Sequence, residues 1–139
     1  MRLKLLRRGA GPLIAVVLLS MCNGPLEPSA LLGSWGGEHV EITFDSAGVA
    51  AVQYDCAHGR LGAPITLSAA GVLSASGEHT REHGGPVQEG EAVDTRPAHY
   101  AGEVRGDRLT FTVTLTDSGT VLGPYTVRRG QPAQLFRCL

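Results

Sequence analysis

Residues 109–116 read LTFTVTLT, and this stretch decides the fold. Leu109, Phe111, Val113 and Leu115 alternate with four threonines, so one face of the segment is apolar and the other is polar. Strict alternation over this length is typical of a half-buried β-strand. Threonine, valine and phenylalanine also favour strands. The stretch therefore predicts a strand that places one face on a hydrophobic core.

The same alternation recurs on both sides of this strand, separated by turns that contain glycine, and no segment has a helical period. Further strands are predicted at 39–44, 49–54, 61–67, 72–76, 98–104, 121–128 and 134–138. Short strands at this spacing predict an all-β fold, an antiparallel meander of about eight strands. Closing the meander into an up-and-down barrel removes its exposed edges, and a two-sheet β-sandwich is the alternative.

The first 22 residues have the features of an export signal. A basic head contains Arg2, Lys4, Arg7 and Arg8, and the apolar run 12–19 follows it. This run has the length of a signal-peptide core and is shorter than the approximately 20 apolar residues that a membrane-spanning helix needs. The sequence therefore predicts a signal peptide at 1–22, a flexible tether at 23–30 and a single domain at 31–139.

Residues 19–22, LSMC, resemble a bacterial lipobox, in which Cys22 becomes the lipidated first residue of the mature chain. Met21 is larger than the residue usual at its place, so the alternative is an ordinary secretory cleavage after Gly24 or Ala30. We expect the protein in the cell envelope or periplasm, lipid-anchored to a bacterial membrane, or else secreted.

Removing the signal changes the charge of the chain. All 13 acidic residues follow it, whereas four of the 12 basic residues precede Cys22, which leaves eight arginines and a net charge of −5. A nucleic-acid partner requires a basic face for its phosphates, so the sequence excludes that class. Contact with a membrane is expected only through a lipid anchor, and the domain is expected to be a monomer.

Cysteine usage fits an oxidising compartment. If Cys22 carries lipid or is removed, Cys56 and Cys138 remain as a pair, and small exported domains commonly contain a disulfide. A bridge between them closes a loop of about 80 residues, worth roughly 4 kcal/mol in the chain-entropy model. The alternative is two free thiols.

The start of the domain carries a family resemblance. Gly33-Ser34-Trp35 resembles the opening motif of lipocalins, avidin-like barrels and small bacterial inhibitor barrels. The resemblance implies that Trp35 closes one barrel end and that an arginine near the end of the chain, Arg137 or Arg128, packs over it. Segments 35–40, 55–59, 84–87 and 122–125 resemble a group of small uncharacterised exported bacterial proteins, which implies export but no particular activity.

Two motifs invite a catalytic interpretation. His79-Thr-Arg-Glu-His83 matches H-x-x-E-H, a zinc-peptidase motif that needs a helix, but glycines flank it on both sides. Asp55, Cys56 and His58 place a thiol near a base, but a disulfide at Cys56 removes the nucleophile. We therefore expect no enzyme activity and no obligatory cofactor.

A looser transition-metal site is a separate hypothesis. His79, His83, His58 and His39 lie at predicted strand ends or turns, where a barrel could bring them to one rim. Imidazole and carboxylate groups suit zinc, copper or nickel. The alternative is that these histidines are solvated or bonded to nearby backbone.

The leading functional prediction is a non-catalytic barrel that binds a protein partner or small ligand through its loops. The acidic loop 78–96 is a candidate functional segment, because long loops in compact domains are often functional, and the alternative is a solvated mobile loop. The other hypotheses are an inhibitor of an envelope enzyme and a metal-binding protein that uses the rim histidines.

Overall fold

The structure, a computed structural model, describes residues 27–139. The predicted signal peptide and the lipidation site at Cys22 lie outside the described residues. The last residues of the predicted tether begin a short 3₁₀ turn, Pro28–Leu31, in which Leu31 is buried. Across residues 27–139, none of the helical segments has the length and hydropathy needed to cross a membrane.

Residues 27–139 form nine strands. They are β1 (Gly33–Gly37), β2 (Val40–Phe44), β3 (Ala50–Tyr54), β4 (Ala57–Leu61), β5 (Thr66–Leu67), β6 (Val72–Arg81), β7 (Asp94–Arg105), β8 (Arg108–Leu115) and β9 (Val121–Arg129). Every pairing between these strands is antiparallel, and most neighbours in sequence are neighbours in the sheet. The chain is therefore the predicted meander.

The meander closes into a barrel of eight strands. β1 pairs with β9, and β4 pairs with β6, so β1, β2, β3, β4, β6, β7, β8 and β9 form a continuous ring. The short strand β5 adds to the first half of β6 and lies outside this ring. The predicted closed up-and-down barrel is confirmed, and the sandwich alternative is wrong.

Several predicted boundaries differ from the structure. Residues 57–61 form β4, a strand that was not predicted, and the predicted strand 61–67 is reduced to the two residues of β5. β6 and β7 extend far into the predicted 78–96 loop, so the irregular segment is only 82–93. Residues 134–138 form no strand; Gln134 makes a single parallel bridge to Glu38.

Alternate residues of each strand fill the barrel interior. One cluster of buried apolar side chains draws on every strand of the ring, and its largest members are Trp35, Tyr54, Tyr100, Phe44 and Phe111. The alternation predicted for β8 is confirmed, since Leu109, Phe111, Val113 and Leu115 are all buried. An eight-stranded barrel is just wide enough for side chains to fill it, so a lipid-sized interior cavity is not expected.

We call the end formed by turns 45–49 and 106–107 and the 3₁₀ turn the closed end. Trp35 is fully buried there, and its Nε1–H donates a 2.8 Å hydrogen bond to the Leu31 carbonyl. The guanidinium carbon of Arg129 lies 4.3 Å from the centre of the Trp35 ring. The expected arginine over the tryptophan is thus Arg129. Neither of the predicted residues, Arg137 or Arg128, occupies this position, because only Arg129 is directly paired with Trp35 in the β1–β9 register.

The C-terminal segment 130–139 runs from the closed end along the outside of β1. Its backbone at residues 131–133 occupies the space where Gly36 lacks a side chain, so any larger residue there would clash. Gln134 then exchanges backbone hydrogen bonds with Gly37 and His39, at 2.9 and 2.8 Å. The predicted disulfide between Cys56 and Cys138 is confirmed and anchors the far end of this segment.

Candidate functional site

The opposite end of the barrel, which we call the loop end, is formed by turns 38–39, 55–56 and 116–120 and by the loop 82–93. Most of the large apolar side chains that residues 27–139 expose to solvent lie here rather than at the closed end. Five of seven are at the loop end: Val87, Val93, Val121, Phe136 and Leu139. Clustering of exposed apolar side chains is a feature of binding surfaces.

The loop 82–93 covers a depression of about 410 Å³ on the outside of the barrel. Val87 and Val93 line it from the loop, and both are largely exposed, at 81% and 72%. Thr80 on β6 and His58 on β4 line it from the barrel. The depression therefore combines apolar side chains of the loop with polar and charged groups from both the loop and the strands.

Two histidine–carboxylate contacts hold the base of the loop 82–93. The Nδ1 of His58 lies 2.5 Å from Oε1 of Glu82, and the Nε2 of His83 contacts Oε1 of Glu91. Oε2 of Glu91 also accepts a 3.0 Å hydrogen bond from the Gln88 backbone N–H. These contacts brace the loop while leaving Val87 exposed.

His83 has acceptors on both sides of its ring. Nδ1 donates to the Gly84 carbonyl at 2.8 Å, and Nε2 faces the Glu91 carboxylate. The Gly84 carbonyl, followed by Glu91, raises the pKa of His83, because two acceptors favour the doubly protonated ring. The Gln88 N–H, and then His83, lower the pKa of Glu91. Each group of the pair thus favours the charged form of the other.

His79 lies in a different environment, on the inner face of β6. Its ring packs against Tyr54, with centroids 5.3 Å apart, and neither its Nδ1 nor the Tyr54 hydroxyl has a hydrogen-bond partner among residues 27–139. Burial, followed by the proximity of His58, lowers the pKa of His79. Burial likewise raises the pKa of Tyr54. Both groups therefore favour their neutral forms.

The structure does not bring the four histidines of the predicted metal site together. His79 faces inward, His58 and His83 lie at the loop depression, and His39 pairs with Asp55 in the neighbouring turn at 2.5 Å. Within the part of the chain that the structure describes, no three or more histidine, cysteine or acidic side chains are arranged to hold a metal ion. Strand alternation is the physical reason, because it sends residues 58 and 79 to opposite faces of the barrel wall.

The two motifs that invited a catalytic interpretation have structural roles in the fold. The H-x-x-E-H segment spans the end of β6 and the start of the loop, so its histidines do not share a helical face. Cys56 is bridged to Cys138, and Asp55 accepts a 2.8 Å hydrogen bond from the Phe136 N–H as well as contacting His39. Cys56, Cys138 and Asp55 thus attach the C-terminal segment to the loop end.

A second depression of about 560 Å³ lies between this C-terminal segment and the loop. Arg137, predicted to close the barrel, lines it together with Phe136 and His83.

Comparison of the chain with family models, curated proteins and solved structures returns no match. The geometry of the loop end therefore carries the functional argument.

Proposed function

We propose that this protein is an extracytoplasmic, lipid-anchored, non-catalytic barrel that binds a protein partner through its loop end. The observation that carries the proposal is the pair of exposed valines, Val87 and Val93, on a braced loop beside a 410 Å³ depression. A loop held in one conformation loses less entropy on binding, which favours affinity. A packed interior supports a surface-binding protein over a carrier of lipids.

The compartment is part of the same proposal. The Cys56–Cys138 bridge is compatible with an oxidising environment outside the cytoplasm. Attachment through Cys22 would place the loop end near other envelope proteins. Mass spectrometry of the mature N-terminus tests this part, with a diacylglycerol on Cys22 as the expected result and a chain that begins after Gly24 or Ala30 as the contrary one.

Site-directed photo-crosslinking tests the binding surface. A crosslinking amino acid at Val87 should give a discrete product in the envelope fraction of the source organism, whereas one at Thr126, on the outside of β9, should not. Excess unlabelled protein should suppress the product, and the Val87→Ser/Val93→Ser variant should suppress it poorly. Equal products at both positions, or equal suppression by both competitors, would contradict the proposal.

A second candidate function is inhibition of an envelope enzyme. It is favoured by the braced base of the loop 82–93, since a rigid exposed segment suits insertion into an enzyme cleft. Titrating the purified domain against lysozymes and secreted proteases tests it. The Val87→Ser variant serves as the matched comparison and should inhibit more weakly. Absence of inhibition across the panel would remove this candidate.

A further inference from the structure

The loop depression continues onto the outer wall of the barrel. Two further depressions, of about 500 and 320 Å³, lie over strands β2, β3, β4 and β6, and His58 lines both of them as well as the loop depression. The three depressions therefore adjoin one another at His58, and we call them together the His58 groove.

Strand register explains the shape of this groove. Thr43, Ala51, Arg60 and Glu78 lie side by side on four adjacent strands, and all four side chains face outward. Ala51 is the smallest of them and leaves a low point in the wall. The four strands span about 14 Å, three strand spacings of about 4.8 Å, which equals about four residues of extended chain.

The lining of the groove has an excess of acidic residues, although two of them, Glu82 and Glu91, are paired with His58 and His83. Only two arginines, Arg60 and Arg81, contribute to it, against six acidic residues: Glu41, Asp45, Glu78, Glu82, Glu91 and Asp94. Within residues 27–139, Glu78 and Asp94 form no ion pair, so their charges are available to a ligand. Charge complementarity selects a cationic occupant.

The part of the groove at the loop end favours an aliphatic side chain in the ligand. Val87 and Val93 line it there, and both side chains are largely exposed. We propose that the His58 groove binds an extended polypeptide segment of the partner, with lysine or arginine side chains next to an aliphatic one. The inference rests on the proposed function and specifies the partner's chemistry.

Three synthetic pentapeptides test the inference on the folded domain: Lys-Val-Lys-Val-Lys, Glu-Val-Glu-Val-Glu and Lys-Ser-Lys-Ser-Lys, each with blocked termini. NMR titration should show saturable shifts of the Ala51, Gly59 and Thr80 amides with the first peptide. The acidic peptide should give none, and the serine peptide should bind more weakly. Spermidine serves as a control for charge alone, and binding as tight as that of the first peptide would overturn the inference.

A matched pair of variants locates the binding. Ala51→Tyr fills the low point of the groove from an exposed position and should weaken the first peptide at least about tenfold, the change for about 1.4 kcal/mol. Thr126→Tyr, at an exposed position on β9 outside the groove, should leave binding unchanged. Equal effects of the two variants, or no saturable shift at Ala51, would overturn the inference.

The two proposals fail in different ways. Crosslinking at Val87 without peptide binding in the groove would leave the loop-end function standing and remove the cationic segment. Peptide binding in the groove without a crosslinked product at Val87 would support the groove and contradict the proposed use of the loop. Loss of both would show that neither surface binds a polypeptide.

Discussion

Arg129 covers the face of Trp35, with its guanidinium carbon 4.3 Å from the centre of the indole ring. The same guanidinium donates hydrogen bonds to the carbonyls of Leu32, at 3.1 Å, and Ala30. One side chain therefore fixes the 3₁₀ turn, the first strand and the last strand together at the closed end.

We expect Arg129→Ala to lower the free energy of unfolding by about 1–2 kcal/mol, because it removes a cation–π contact and two hydrogen bonds. Trp35 is the only tryptophan, so its fluorescence reports this site alone. Its emission should shift as the ring becomes exposed to water. Urea unfolding monitored by that fluorescence measures both effects.

Two other arginines serve as controls for this prediction. Arg128 pairs with Asp107 at 3.3 Å in an exposed setting, so Arg128→Ala should change stability by no more than about 0.5 kcal/mol. Arg137→Ala should leave the Trp35 emission unchanged, because Arg137 lies in the depression at the loop end. A shift of the emission in Arg137→Ala as large as in Arg129→Ala would contradict this assignment.

The fold was predictable because alternation in most strands is strict. β8 presents four buried apolar residues in register, and β2 and β3 follow the same rule, so the all-β meander follows from pattern alone. The identity of the arginine over Trp35 was not predictable, since Arg128 and Arg129 are adjacent. Only the register that pairs Trp35 with Arg129 distinguishes them.

β4 was missed because its sequence resembles a turn. Gly59 lies in the middle of the strand, and no apolar side chain marks its inward position. The structure supplies the reason: the hydroxyl of Tyr100, on β7, occupies the space that a side chain at Gly59 would need. A contact between residues so distant in the chain leaves no local signal.

The candidate site was only partly predictable. The acidic character of segment 78–96 was evident, but the ends of β6 and β7 inside it are polar on both faces and show no clear alternation. The groove at His58 depends on register across four strands. Its residues, such as Thr43 and Glu78, are scattered in sequence and join only when the barrel closes.

The contact between Gly59 and Tyr100 gives a second prediction. Gly59→Ala should lower the free energy of unfolding by about 1–3 kcal/mol, because the added carbon would overlap the Tyr100 hydroxyl. Tyr100→Phe should cost about 1 kcal/mol through loss of the 2.8 Å hydrogen bond to the Glu78 carbonyl. The double variant should lose less than the sum, and additive losses in urea unfolding would refute the contact.

The disulfide gives a third prediction. Cys56 and Cys138 are 82 residues apart, so replacing both with alanine should cost about 4 kcal/mol in the chain-entropy model. Thermal unfolding with and without a reductant measures this loss. The reductant should destabilise the native protein and leave the double variant unaffected. Because the bridge anchors the C-terminal segment, hydrogen exchange should rise first at residues 134–139.

The His83–Glu91 pair gives a prediction for pH dependence. The pKa of His83 is raised above its ordinary 6.5. The stability that protonated His83 gives to the loop is therefore complete below pH 6.5 and is lost as the pH rises through the raised pKa. The pKa of Glu91 is lowered below 4.5. The stability that ionised Glu91 gives to the loop is therefore complete above pH 4.5 and is lost as the pH falls through the lowered pKa. The loop should therefore be braced most firmly between about pH 4.5 and 6.5.

NMR titration of the His83 ring measures the first part of this prediction, and hydrogen exchange of residues 84–92 across the pH range measures the second. Glu91→Gln should lower the pKa of His83 without returning it fully to 6.5, because the Gly84 carbonyl is the larger cause of the shift. Glu89→Gln removes a nearby exposed carboxylate that does not contact His83 and should leave the titration unchanged. If the two variants move the His83 titration equally, general loop charge rather than the specific pair sets the pKa, and the bracing of the loop by Glu91 is wrong.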